Sequence, residues 1–258
     1  MILTGDYHTH TKYSHGKNTV LENAVRAEQL GLKEIGITDH GFAHPAFGLS
    51  KRKVTPLKED CLNATRLTGV KVKVGIESNI VCTDGRVDLD KNMYEHFDLF
   101  LAGFHKFILF KKWSVFSLFA PNFLHTLFKS KSVPKSVIDT TTKTYINVIK
   151  NNPVDILTHV NFCCFANAVE VAKCCADYGT YLELNSKKVH LTDEELYEIS
   201  KTGVNFVIDS DAHSIDRIGD ISLVEKMLER VNISEDRIMN INGKIPKFRF
   251  AEYKEKNL

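Results

Sequence analysis

What this 258-residue chain lacks narrows its class before any motif is considered. Its charge is nearly balanced, with 34 Lys and Arg against 32 Asp and Glu and a formal net charge of +2. No broad basic surface can be assembled from that balance, so a nucleic-acid partner is not expected. The N-terminus, Met1–Asp6, has no basic start and no long apolar run, so no signal peptide is expected. None of the six cysteines stands in a C-x-x-C pair: Cys163–Cys164 and Cys174–Cys175 are adjacent, and Cys61 and Cys82 stand alone. That spacing excludes a zinc knuckle or a dithiol redox motif. A cytoplasmic protein with free, buried thiols is the expectation. No repeat, low-complexity tract or Pro/Gly-rich linker interrupts the chain, so one domain over 1–258 is expected.

What is present is alternation. Short apolar runs read as strands at Ile2–His8, Glu34–Thr38, Lys71–Ile80, Leu99–His105, Val154–His159, Thr180–Leu184 and Asn205–Asp209. Amphipathic runs read as helices at Thr19–Leu30, Pro56–Leu67, Lys135–Lys150, Ala166–Tyr178, Thr192–Lys201 and Ser222–Val231. Thr192 and Glu195 have the spacing of a capping box, and Gly31 and Gly203 sit just past helices, where a left-handed residue belongs. This is the pattern of parallel β/α units, and seven of them favour a closed sheet over an open one.

The segment 106–134 breaks the rhythm. Phe107, Phe110, Trp113, Phe116 and Phe119 recur every third residue, followed by Phe123 and Phe128, and its charges (Lys106, Lys111, Lys112, Lys129, Lys131) are all positive. Lys111, Lys112 and Pro121 leave it short of the ~20 apolar residues of a membrane span. Three readings stay open: a helix packed on the barrel, an aromatic lid over the site, or a contact with another subunit or a membrane surface.

The histidines give the function. His8 and His10, two apart at the end of the first strand, face the same way. His15 follows in the loop, His40 ends the second strand, Glu77 sits late in the third, and His105 and His159 end the fourth and fifth. Asp211 and His213 follow the seventh. In an α/β barrel those strand ends converge on one mouth, where active sites are built. One histidine at a strand end is ordinarily a satisfied polar residue, but nine ligand-type side chains at one mouth call for cations. Imidazole and carboxylate together suit Zn²⁺, Mn²⁺ or Fe²⁺ better than Mg²⁺ or Ca²⁺. Nine ligands exceed the roughly four that one tetrahedral ion takes, so two or three divalent cations are expected, with Glu77 able to bridge.

With Asp6-Tyr7-His8-Thr9-His10-Thr11, Ile37-Thr38-Asp39-His40-Gly41, Gly75-Ile76-Glu77, His105, His159 and Ser210-Asp211-Ala212-His213 in this order, the chain resembles the PHP (polymerase and histidinol phosphatase) metal-dependent phosphoesterases. The resemblance implies a distorted seven-stranded (β/α)7 TIM-like barrel with three metals. It would place one ion on His8, His10, Glu77 and Asp211, a second on Glu77, His105 and His159, and a third on His15, His40 and His213. Glu77 and Asp211 would be the catalytic carboxylates.

Water on such cations reaches a pKa of roughly 7, so the hydroxide can attack phosphorus and no enzymic nucleophile is required. A small phosphorylated substrate (histidinol phosphate-like, or a nucleotide) is therefore expected to be hydrolysed as a monoester. The alternatives are a phosphodiesterase or 3'-5' exonuclease on nucleic-acid ends and a non-catalytic metal-binding module. A barrel amidohydrolase is weaker, because no lysine ends a strand candidate. Asp39, His44, Lys106, Lys187 and Arg217 are candidates for phosphate anchoring or proton donation, and Asp6 is a candidate for orienting a ligand histidine.

Overall fold

The computed structural model describes residues 1–111, 113–128 and 132–258. Seven parallel strands lie in sequence order, β1 (Gly5–Thr9), β2 (Glu34–Ile37), β3 (Lys71–Asn79), β4 (Leu99–Gly103), β5 (Ile156–Leu157), β6 (Tyr181–Asn185) and β7 (Phe206–Asp209). Helices α1 (Val20–Gln29), α2 (Val54–Thr68), α3 (Ala120–Leu127), α4 (Lys135–Asn151), α5 (Ala168–Tyr178), α6 (Asp193–Ser200), α7 (Ser222–Leu228) and α8 (Arg249–Asn257) accompany them. Two capping boxes start helices: Thr19 with Glu22 at α1 and Thr192 with Glu195 at α6. Gly31, one residue beyond the C-cap of α1, has φ +73°, which a side chain would resist.

β7 returns to β1 through few backbone bonds. His10 N–H donates to Ala212 O at 2.8 Å, and Ala212 N–H to His8 O at 3.2 Å. Below them the seam is held by side chains: Asp209 Oδ1 accepts from Tyr7 N–H at 2.7 Å, Asp6 accepts from Ser210 N–H and Oγ, and one amide reaches both strands. Asn240 donates to Gly5 O on β1 and Ile208 O on β7, and its Oδ1 accepts from Ile208 N–H. This amide substitutes for the missing rungs of a ladder. Asn240→Ala leaves three buried backbone groups to find new partners, so a loss of roughly 2–4 kcal/mol is expected, measured by urea unfolding. An unchanged midpoint would show that the barrel does not depend on this amide.

The barrel interior is layered. Parallel register sets Glu77 beside Leu101 and Glu183 beside Val207. Toward the N-terminal ends of the strands, Tyr7, Leu99, Leu101, Ile156, Tyr181 and Val207 form a dry cluster closed by Phe248. Toward the C-terminal ends the lining turns polar. The transition on β1 is a shift in register between Asp6 and Thr9. An extra residue there lets both Tyr7 and His8 face inward, one into each layer, as a β-bulge does.

The fifth strand is shorter than its apolar run. Asp155 accepts from Phe100 N–H at one end, and His159, with φ +28°, turns the chain away at the other. Segment 107–128 contains a π-helical turn at Val115–Phe119 leading into α3. One face packs: Leu118 is buried, and buried Asn122 bonds Thr141 Oγ1 and accepts from Phe165 N–H. Lys112, Lys129 and Lys131 lie outside the described residues. Among the described residues, no helix is long and apolar enough to cross a membrane.

Candidate active site

All nine ligand-type residues meet at the C-terminal mouth. Glu77, fully buried on β3, is the centre. Its Oε1 lies 2.7 Å from His159 Nε2, 3.0 Å from His105 Nε2 and 3.2 Å from His8 Nε2. Its Oε2 lies 2.7 Å from His40 Nδ1 and 3.7 Å from His10 Nε2. Asp211 forms the second pole: its Oδ1 is 3.5 Å from His10 Nε2, 3.9 Å from His8 Nε2 and 3.3 Å from His213 Nδ1. His15 stands exposed at the rim, its ring 4.8 Å from that of His40 and 4.3 Å from that of His213.

Three groups have potential ligand atoms within 4.8 Å of one another: His8, His10 and Asp211; His40, Glu77 and His105; His10, His40 and His213. His10 and His40 each stand between groups.

The backbone is bent to serve this convergence. His159 and Asp211, neither a glycine, both have positive φ (+28° and +49°) just beyond their strands. Such conformations cost of order 1–3 kcal/mol and persist where the surroundings enforce them. Gly103 leaves the room the imidazole needs, since a Cβ there would lie 2.7 Å from His159 Cε1.

The electrostatics favour open nitrogen lone pairs. Burial, reinforced by neighbouring imidazoles, holds His10 well below its ordinary pKa and takes His40 to about 3 and His15 to about 4. Those rings are neutral at pH 7. His8 goes the other way: burial opposes its charge, but Glu77, Glu183 and Asp211 together raise it well above the usual value. Burial likewise works against the charge on Glu77, yet His105, His8 and His40 hold its carboxyl well below the ordinary range. Eight buried atoms of the nine residues nevertheless make no well-aligned hydrogen bond: His8 Nε2, both His10 nitrogens, His40 Nδ1, Glu77 Oε2, His105 Nδ1, His159 Nδ1 and His213 Nε2.

Glu183, on β6, carries no mark in the sequence that ties it to the site. Its Oε1 sits 2.5 Å from His8 Nδ1, and its Oε2 accepts from His159 N–H at 2.6 Å and Asn185 Nδ2 at 3.0 Å. Glu183, not Asp6, orients His8. Asp6 instead accepts from Ser210 N–H, Ser210 Oγ and Gly219 N–H and secures the end of β7. Asp39 is likewise structural, accepting from Thr11 and Ser14 to shape the loop that carries His15. Arg217 pairs with Asp220 and Ser186 O.

Above the cluster opens a cavity of about 420 Å³, walled by Phe47, Phe107 and Phe162 and edged by His44, His190, Lys106, Lys187 and Lys188. Lys187 Nζ is 3.2 Å from Asp211 Oδ1. His190, which the sequence did not single out, is lowered to about 4 by burial and by neighbouring His159 and Lys188, so it is neutral at pH 7.

The model of the family described as PHP domain matches residues 6–187, which takes in β1 to β6 and seven of the nine residues. A probable phosphatase of Vibrio campbellii is 30% identical over 254 residues, 93% of this chain and 89% of that protein. A probable phosphatase of Caldanaerobacter subterraneus subsp. tengcongensis is 29% identical over 252 residues, 92% of this chain and 87% of that one. Among solved structures, the histidinol phosphate phosphatase of Lactococcus lactis, complexed with zinc, L-histidinol and phosphate, superposes with a TM-score of 0.63. It covers 96% of this chain and 100% of its own at 15% identity, a likeness of fold.

Proposed function

Because this chain belongs to the PHP domain family, we propose that it is a metal-dependent phosphoesterase hydrolysing a small phosphomonoester. The observation that carries this reading is the convergence of seven histidines and two carboxylates on one barrel mouth, where eight of their buried nitrogens and oxygens make no well-aligned hydrogen bond. Each unpaired buried polar atom costs about 1–3 kcal/mol, and cations would relieve that cost at the atoms that face the cluster. The donors, imidazole and carboxylate, fit Zn²⁺, Mn²⁺ or Fe²⁺. His8, His10 and Asp211 would hold one ion. Glu77, shared with that ion, would hold another with His105 and His159, and His40 and His213, with His15 at the rim, a third. Divalent cations supply Lewis acidity there, activating water and neutralising phosphate charge as the ester bond breaks.

The chain's own groups do the rest. Lys187, beside Asp211, is free to swing its ammonium toward a phosphate oxygen, and Lys106 and Lys188 add positive charge around the same opening. The neutral His190 offers a hydrogen-bond acceptor to the organic part of a substrate. A cavity of about 420 Å³ fits a small metabolite. Glu183 keeps His8 Nδ1 protonated, so that Nε2 faces the cluster. Glu183→Gln puts an amide where that acceptor stood, and metal affinity is expected to fall roughly 10–100-fold, read by competition with a chelating dye. Unaltered affinity would remove Glu183 from this role.

The reading is tested by comparing aryl phosphate monoesters and diesters on one preparation, metal-stripped and metal-restored. Monoester turnover at least roughly tenfold faster, dependent on restored metal, is expected. Faster diester cleavage would make the enzyme a phosphodiesterase. No cleavage of either by metal-loaded protein would leave a binding module.

A further inference from the structure

Beside the mouth, the segment 107–128 presents a surface that the chemistry above does not use. Trp113 is 83% exposed, Phe128 72% and Phe116 71%, and Leu109, Leu124 and Leu127 are exposed with them. Large apolar side chains rarely cluster in water without a partner. Here the opposite face of the segment is already packed through Leu118 and Asn122, so the outer face has no further role in the core. The rings of Phe110, Phe119, Phe123 and Phe107 run at centroid spacings of 5.0–6.0 Å and tie this surface to the cavity wall at Phe107.

Charge selects the partner. Between Asp98 and Asp139 the sequence has no acidic residue, but it has lysines at 106, 111, 112, 129, 131 and 135, the last of them paired with Asp139. A second copy of the chain is a poor occupant, because a two-fold interface sets the same patch against itself and opposes lysine to lysine. Single-stranded nucleic acid is a poorer one: it stacks on aromatic faces, and three of the seven exposed side chains, Phe107 included, are leucines. Tryptophan, phenylalanine and leucine flanked by lysine are what an anionic bilayer surface binds, the rings at headgroup depth and the ammonium groups on lipid phosphate. We propose that this segment docks the protein on an anionic lipid surface, setting the barrel mouth beside the headgroups. This inference does not depend on the phosphatase reading.

The chain has one tryptophan, Trp113, so its fluorescence reports on this patch alone. Titration of the full-length protein with phosphatidylcholine vesicles containing phosphatidylglycerol is expected to shift its emission to the blue. Pure phosphatidylcholine should produce little shift, and high salt should weaken binding at least about tenfold. Phe116→Ser with Leu127→Ser should lower binding by a similar factor in co-sedimentation, while hydrolysis of a soluble aryl phosphate stays unchanged. Three results would overturn the proposal: no shift with anionic vesicles at low salt, binding that ignores both substitutions, or light scattering showing a dimer in which Trp113 is already shielded. A shift produced equally by an oligonucleotide would transfer the surface to nucleic acid and overturn it as well.

Discussion

Glu77→Gln is expected to lower kcat/KM by roughly 1,000-fold or more, with the barrel still folded. The carboxylate lies within 3.2 Å of His8, His105, His159 and His40 nitrogens, three of them on one oxygen and His40 on the other. Two neighbouring cation positions would therefore share it. An amide keeps the shape but removes the charge and offers only one oxygen. Metal ions supply several kcal/mol of transition-state stabilisation, and losing ~4 kcal/mol is a factor of ~1,000 in rate. The same variant should bind fewer ions per chain. Circular dichroism separates this loss from unfolding. Wild-type turnover with full metal content in Glu77→Gln would take the residue out of the centre.

The largest effect on stability is expected at the other end of the barrel. Asp155 is buried just before β5, where Oδ2 accepts from Phe100 N–H at 2.9 Å and Oδ1 accepts from Phe250 N–H at 2.7 Å. Burial, only partly offset by these bonds and by Lys73 and Arg249, pushes its pKa up to about 7. The folded state thus prefers the protonated acid, whereas the unfolded chain ionises near the ordinary value of about 3.9. Between those values the folded protein binds the extra proton. The contribution of Asp155 is therefore fully present below about pH 4, declines as pH rises, and levels off above about pH 7, a span worth on the order of 4 kcal/mol. Asp155→Asn has no proton to lose and gives up one backbone bond. The stability of the variant relative to wild type should therefore shift in the variant's favour by on the order of 2–3 kcal/mol between pH 5 and pH 8. Urea unfolding of metal-free protein at both pH values gives the two gaps. Shifts at the distant histidines cancel in the comparison. A gap independent of pH would show that Asp155 keeps its ordinary pKa.

The strands carrying the site were legible because each is short, apolar and followed by a ligand-type residue, and because parallel β/α order brings all such ends to one mouth. The fold thus followed from alternation, and the convergence of His8, His10, His15, His40, Glu77, His105, His159, Asp211 and His213 followed from the fold. What was not legible depends on contacts between distant residues. Glu183 in Tyr181-Leu-Glu-Leu-Asn185 looks like any acid alternating along a strand, and only the closed barrel sets it against His8. Asn240 closes the β1–β7 seam from a loop with no distinguishing composition. Helix α8 escaped notice because Phe248, at its N-cap, gives no side-chain bond, and Asp155 supplies the acceptor from 95 residues away. The bulge at Tyr7–His8 is a matter of register, which periodicity does not encode.

The central claim is that these imidazoles and carboxylates gather more than one divalent ion for phosphate ester hydrolysis. Elemental analysis of the purified, active protein tests it most directly, followed through chelation and stepwise metal return. The account predicts more than one transition-metal ion per chain, turnover abolished when they are removed and regained as they rebind. Full hydrolytic activity from protein carrying less than one ion per chain would contradict it.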